Sequence, residues 1–207
     1  MIYGYALIDT CFAGDYPSVM LQTSAPLVNR HDYQEMPEGP PYFQVIAGDL
    51  VMSPSPTGSH QNIALKIASL ILQFLEKQPI GEVYIAPFDV FLGDINVYQP
   101  DVLFVSNRRR SIITERGIEG APDLVVETLS PATAHYDKGF KRKVYARFGV
   151  REFWLVDPET RTIQVYLLEK NAEKPIATHG EKAVFESALL PGLKFKAAAI
   201  FKSPPRK

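Results

Sequence analysis

The sequence predicts an α+β domain built on a mixed β-sheet. Three observations carry this expectation. Strand-like runs outnumber helical ones and do not alternate strictly with helices, as a doubly wound parallel sheet would require. One run, Leu124-Val-Val-Glu-Thr-Leu129, is apolar at successive positions, the pattern of a central strand covered on both faces. Proline at 122 and 131 fences that run, because proline cannot donate to a ladder.

Taken in order, residues 1–28 read as an N-terminal extension, 29–201 as one domain and 202–207 as a tail. The first 19 residues mix Tyr, Gly, Asp, Cys and Pro without period and lack the basic start and apolar core of a signal peptide. Met20 follows as a candidate natural start, which leaves the leading stretch loosely attached. Asn29 to Glu38 predicts a short helix stopped by Pro-Glu-Gly-Pro-Pro. Tyr42–Ile46 and Asp49–Met52 flank Ala47-Gly48 as a hairpin, and Ser53 to Ser59 is a breaker-rich loop.

The helix from His60 to about Lys77 keeps Ile63, Ile67, Leu70, Ile71, Phe74 and Leu75 on one face, with Ser59 as its expected N-cap. Glu82 to Leu92 predicts a strand interrupted at Pro87, and Pro100 to Val105 a short strand opening on Asp101. Arg108-Arg-Arg110 is a basic run; no secondary structure is assigned from there to Gly120. Thr133 to Phe148 predicts a charged helix closed by Gly149. Glu152–Val156 and Thr162–Leu168 are strands joined by an Asp-Pro-Glu-Thr turn. Weaker strand signals and a short terminal helix follow.

A net charge of −1 supplies no global basic field, so any nucleic-acid contact must be local. Arg108, Arg109, Arg110 and Lys138, with the neighbouring Lys141 to Lys143, are the concentrated positive charge available to phosphates. The single cysteine, Cys11, excludes a disulfide framework within the chain and suits a reducing, cytoplasmic setting. No apolar run approaches the roughly 18 residues that a membrane span needs.

Glu127 is the anomaly in the central run. A charge in a buried strand is costly unless it is paired, protonated or holding a metal. Asp101 opens another strand, and if the two strands are neighbours the carboxylates converge. Such a pair suits a hard divalent cation, which takes one or two carboxylates plus waters and substrate phosphates. Asp137, Lys141 and Tyr145 recur every four residues and share one helix face. His60 stands at a helix start after a flexible loop. Carboxylates, a metal and a lysine together fit hydrolysis of a phosphodiester.

The ordered set Ser53-Pro-Ser-Pro…His60, Pro100-Asp101, Ala121-Pro-Asp-Leu-Val-Val-Glu127-Thr-Leu-Ser-Pro, Asp137…Lys141…Tyr145 and Gly149-Val-Arg-Glu-Phe-Trp-Leu-Val-Asp157-Pro resembles the Uma family of restriction endonucleases, within the PD-(D/E)xK nuclease superfamily. The resemblance covers roughly Asn29 to Phe201. It implies a restriction-endonuclease-like core, a central mixed sheet flanked by helices with additional antiparallel strands. It implies a Mg²⁺-dependent (alternatively Mn²⁺-dependent) endonuclease acting on DNA as a homodimer. Asp101 and Glu127 match the metal-holding carboxylates. Position 129, where the superfamily lysine is expected, is Leu129, and the resemblance moves that role to Lys141 on the following helix. His60 and Tyr145 match positions of accessory residues. The family reads Tyr-Glu in the first strand where this chain has Gln44, a neutral amide.

Each residue also has a structural explanation. Asp101 alone reads as a turn aspartate, Lys141 as solvated helix surface, Tyr145 and Trp154 as core aromatics. Two further functions stay open: a non-catalytic domain binding nucleic acid or protein, with a metal site weakened at Gln44, and hydrolysis of another phosphodiester such as RNA.

Overall fold

The structure, a computed structural model, describes residues 26–130 and 139–202. Asn29 caps the first helix, α1 (Arg30–Gln34), through a reciprocal capping box with Asp32. Strands β1 (Phe43–Ile46) and β2 (Asp49–Met52) form the expected hairpin, with Ala47 and Gly48 both at positive φ, 53° and 87°, as the two-residue turn requires. Helix α2 (Gly58–Lys77) begins two residues earlier than expected. Its N-cap is Thr57, whose hydroxyl accepts from the His60 amide at 3.2 Å, and not Ser59, which lies inside the first turn.

The predicted strand around Pro87 divides into β3 (Gly81–Ile85) and β4 (Val90–Phe91), which belong to different sheets. Then come β5 (Val97–Tyr98), β6 (Val102–Ser106), β7 (Ile113–Thr114), β8 (Gly117–Glu119) and β9 (Leu124–Thr128). A 3-10 turn over Asn107–Ile112 holds the arginine run, and β7 and β8 fill the stretch to which the sequence assigned nothing. Helix α3 (Lys141–Phe148) ends at Gly149, whose φ of 94° is the left-handed closure that a glycine makes at low cost. The earlier part of that expected helix, with Asp137 and Lys138, lies outside the described residues. Strands β10 (Glu152–Asp157), β11 (Thr162–Leu167), β12 (Ala177–Gly180), β13 (Val184–Glu186) and β14 (Lys194–Lys196) precede α4 (Ala198–Phe201).

The central sheet has the order β12-β11-β10-β9-β6-β3 and is mixed: β9 and β10 are parallel, joined through α3, and the other pairs are antiparallel. A second six-stranded sheet, β2-β1-β5-β4-β8-β7, and the ribbon β13-β14 supply the additional strands. Alternation along β9 and β6 sends Leu124, Val126, Val102 and Phe104 to one core beneath α2, with Ile63, Ile67 and Ile71. Val125, Leu103 and Val105 go to the opposite core with Tyr145 of α3 and Tyr98, Val90 and Ile118 of the second sheet. All five residues of β9 are buried, as a central strand covered on both faces requires. Trp154 is fully buried in the α2 core, which agrees with its reading as a core aromatic. Among the described residues no helix is long and apolar enough to cross a membrane.

Candidate active site

Strand β6 pairs with β9, so the condition for the two carboxylates to converge is met. The β6–β9 ladder ends at Val102 opposite Val126, and one step further the same register runs from Asp101 to Glu127. A direct contact fixes this junction: the Thr128 amide donates to Asp101 Oδ2 at 2.6 Å. The same oxygen lies 2.7 Å from His60 Nε2, in the first turn of α2. His60 and Asp101 are each about 15% exposed, so the pair sits at the mouth of the site.

Glu127 is the more deeply buried of the two carboxylates, 4% exposed. The α3 residues Lys141 and Tyr145, one turn apart, both reach its Oε1, the Tyr145 hydroxyl donating at 2.8 Å and the Lys141 ammonium at 3.4 Å. Lys141 is itself 3% exposed and lies 5.6 Å from the centre of the Tyr98 ring, so it is not solvated helix surface. Burial pushes the Tyr98 phenol well above its ordinary value; Lys141 pulls it down and Glu127 up by lesser amounts. Tyr98 and Tyr145 meet edge to face at 5.4 Å, so the lysine stands beside an aromatic wall.

Gln44 enters from the second sheet. Its Nε2 donates to Ser53 Oγ at 3.0 Å and its Oε1 accepts from the Gln99 amide at 3.3 Å, two residues before Asp101. It is buried and close to the strand that carries the aspartate. Its amide is thus committed to backbone and hydroxyl partners.

The arginine run is not part of this assembly. It follows the far end of β6, about 17 Å along the strand from Asp101 at the usual rise per residue. Arg110 pairs with Glu82 at 3.1 Å, and Arg109 lies 3.9 Å from Asp123. Lys138 lies outside the described residues.

Sequence reasoning missed several residues of this neighbourhood. Thr128 and Ser53 act through one backbone amide and one hydroxyl, which no spacing announces. Gln99 could have been found from its position two residues before Asp101. Arg142 looks like surface charge in the sequence and is buried. A second buried carboxylate, Glu152, serves the scaffold: it accepts from Trp154 Nε1 at 2.5 Å, Ser187 Oγ at 2.9 Å and the Leu189 amide at 2.6 Å, at the opposite end of β10. Burial nonetheless pushes its carboxyl above the usual range, against those hydrogen bonds.

The residues fit a divalent cation in kind. Two carboxylates from adjacent strands meet the oxygen preference of a hard ion. They do not make a dense acidic site: among the described residues no cluster of three or more His, Cys, Asp or Glu could hold a metal.

Comparison with known proteins bears on this constellation. The profile of the Uma2 family, described as "Putative restriction endonuclease", matches residues 30–198. The chain belongs to the Uma2 family. The match spans every residue of the assembly from Gln44 to Tyr145. The chain is also similar in fold to a crystal structure titled as a putative nuclease belonging to DUF820 from Anabaena variabilis, with a TM-score of 0.68 at 21% identity, covering 83% of this chain and 96% of that one. No curated protein matches the sequence. Membership in Uma2 places this chain in a family described as putative restriction endonucleases, and the likeness to the Anabaena structure shows that the two share an α+β fold.

Proposed function

We propose that the protein is a Mg²⁺-dependent endonuclease that hydrolyses DNA phosphodiester bonds at the junction of β6 and β9. The observation that supports this most is the buried Lys141 on Glu127, one register step from Asp101. Burying a lysine against a carboxylate at the end of a sheet costs desolvation energy that apolar packing does not require.

In this reading Asp101 and Glu127 hold the metal, which supplies charge to the phosphoryl oxygens and a more acidic water. Lys141 carries positive charge to the same place and stabilises the charge that grows on the phosphoryl oxygens in the transition state. Tyr145 and Lys141 together fix the Glu127 carboxylate, so one of its oxygens is aimed before substrate arrives. His60 and the Thr128 amide do the same for Asp101. His60 and Tyr145 are therefore positioning residues. Cutting both strands of a duplex requires two such sites, and a symmetric homodimer supplies them.

Gln44 favours a second reading, in which the fold binds nucleic acid or a protein without turnover. The neutral amide brings no charge to the metal, and both of its ends are engaged elsewhere. Nicking of supercoiled plasmid separates the two readings. The enzyme reading expects nicking with Mg²⁺ or Mn²⁺, lost on chelation and lost in Asp101→Asn and Glu127→Gln variants that remain folded at the assay temperature. Metal-independent binding with no nicking in any of these proteins would overturn it in favour of the second. Parallel digestion of an RNA transcript decides between the nucleic acids.

A further inference from the structure

A cavity of about 310 Å³ adjoins the site on the Glu127 face of the sheet, lined by Leu129, Arg142, Leu155, Asp157, Gln164 and Tyr166. The pairing registers give its position. Leu155 is opposite Glu127 and Gln164 is opposite Leu155, so the three occupy one row across β9, β10 and β11. At the usual strand spacing Gln164 is about 10 Å from the Glu127 strand.

The cavity is built, not incidental. The Arg142 side chain is 8% exposed, its guanidinium stacks over the Tyr166 ring at 4.5 Å, and its Nε finds no hydrogen-bond partner among the described residues. An orphaned, buried cationic donor is expensive and calls for an acceptor. Its ion pair is long, 3.7 Å to a Glu173 that is largely in solvent and shared with Lys143. Gln164 offers a second donor: the Tyr166 hydroxyl occupies its Oε1 at 2.7 Å, which leaves Nε2 as the group it can give to a ligand. Asp157, the acidic residue of the lining, has Oδ1 turned onto the amides of Glu159 and Thr160, at 2.9 and 3.2 Å. What the cavity presents is therefore a guanidinium and an amide donor over an apolar floor, with the Asp157 carboxylate at its edge held by those two amides.

We propose that Arg142 and Gln164 hold a phosphodiester group of the bound strand next to the one cleaved at Glu127. This rests on the nuclease reading above for the identity of the strand, and it adds a residue pair that sets the strand's path across the sheet toward β11. Arg142 is then the phosphate contact that the exposed arginine run, a strand length from Asp101, does not provide.

The test is binding of the full chain to a labelled DNA duplex in chelator, followed by fluorescence anisotropy from 50 to 200 mM salt, with nicking in Mg²⁺ measured alongside. Arg142→Met keeps the packing volume, and should weaken binding and flatten the dependence of log affinity on log salt by about 0.9, the loss of one phosphate contact. Gln164→Met should weaken binding severalfold at every salt concentration with the slope kept, and it serves if Arg142→Met fails to fold. Wild-type affinity and slope in the folded variants would overturn the subsite, and nicking by the wild type in that case would leave the nuclease reading standing. A lowered slope in a protein that never nicks would support the subsite and remove the catalytic reading. No binding by the wild type overturns the subsite, and no nicking alongside it overturns the nuclease reading as well.

Discussion

Lys141→Met tests whether the ammonium neutralises Glu127. The side chains are 3% and 5% exposed, so neither charge is rescued by water. Removing one partner of such a buried pair typically costs about 3–5 kcal/mol. The 3.4 Å separation exceeds the roughly 2.7–2.9 Å of a strong charge-assisted bond. The Tyr145 hydroxyl also remains on the carboxylate. Both argue for the lower end, about 3 kcal/mol, or roughly 6–12 °C in melting temperature for a chain of this size. The double variant Glu127→Gln/Lys141→Met, with no charge left to bury and an amide that still accepts from Tyr145, should recover about 2 kcal/mol of the loss. Thermal unfolding of wild type, both single variants and the double variant closes the cycle, and plasmid nicking should stay absent in all three variants. A Lys141→Met protein melting within 2 °C of wild type, on the order of 0.5 kcal/mol, would refute the pairing.

Tyr145→Phe removes a hydrogen bond to a buried carboxylate and should cost roughly 1.5–3 kcal/mol in urea unfolding while lowering kcat more than it changes KM. Glu152 tests the effect of burial on a scaffold carboxylate. Its folded pKa is raised, so the native state binds the proton more tightly than the unfolded chain, and the stability this contributes is full at low pH and lost as pH rises from the ordinary carboxylate range. The stability of wild type relative to Glu152→Gln should therefore fall between pH 5 and pH 8 in urea titrations; a rise would contradict it. Gly81→Ala would place a Cβ 2.3 Å from the Val105 carbonyl and 2.5 Å from the Phe104 ring, and should destabilise by about 1–3 kcal/mol through the β3–β6 edge, read as an earlier urea midpoint.

Much of this site can be read in the chain because its parts are local or carry anomalies. Glu127 stands out as a charge in an apolar run, and the four-residue spacing of Lys141 and Tyr145 already implies a shared face. Both are properties of single elements. Whether β6 lies beside β9 is not, since strand partners are set by cores on both faces and by a crossover through α3. The same limit hides Gln44, whose place near Asp101 depends on a second sheet docking against the first. Thr57 and Ser59 are equally able caps by chemistry, and only the path of the loop selects Thr57. Arg142 is the clearest failure of pattern: between Lys141 and Lys143 it looks like a solvated charge, yet the helix turns it under Tyr166.

The site takes His60 from a helix on one face of the sheet and Lys141 from a helix on the other, around two strands that lie between them in the chain. A ribosome delivers these parts in order and over a long interval. When Asp101 and Glu127 emerge, the lysine that completes the constellation is still to follow, and α3 has no β10 to lead into. In the proposed nuclease, no growing chain or truncated fragment ending before α3 carries the full set, so cutting power appears only after the central sheet can close.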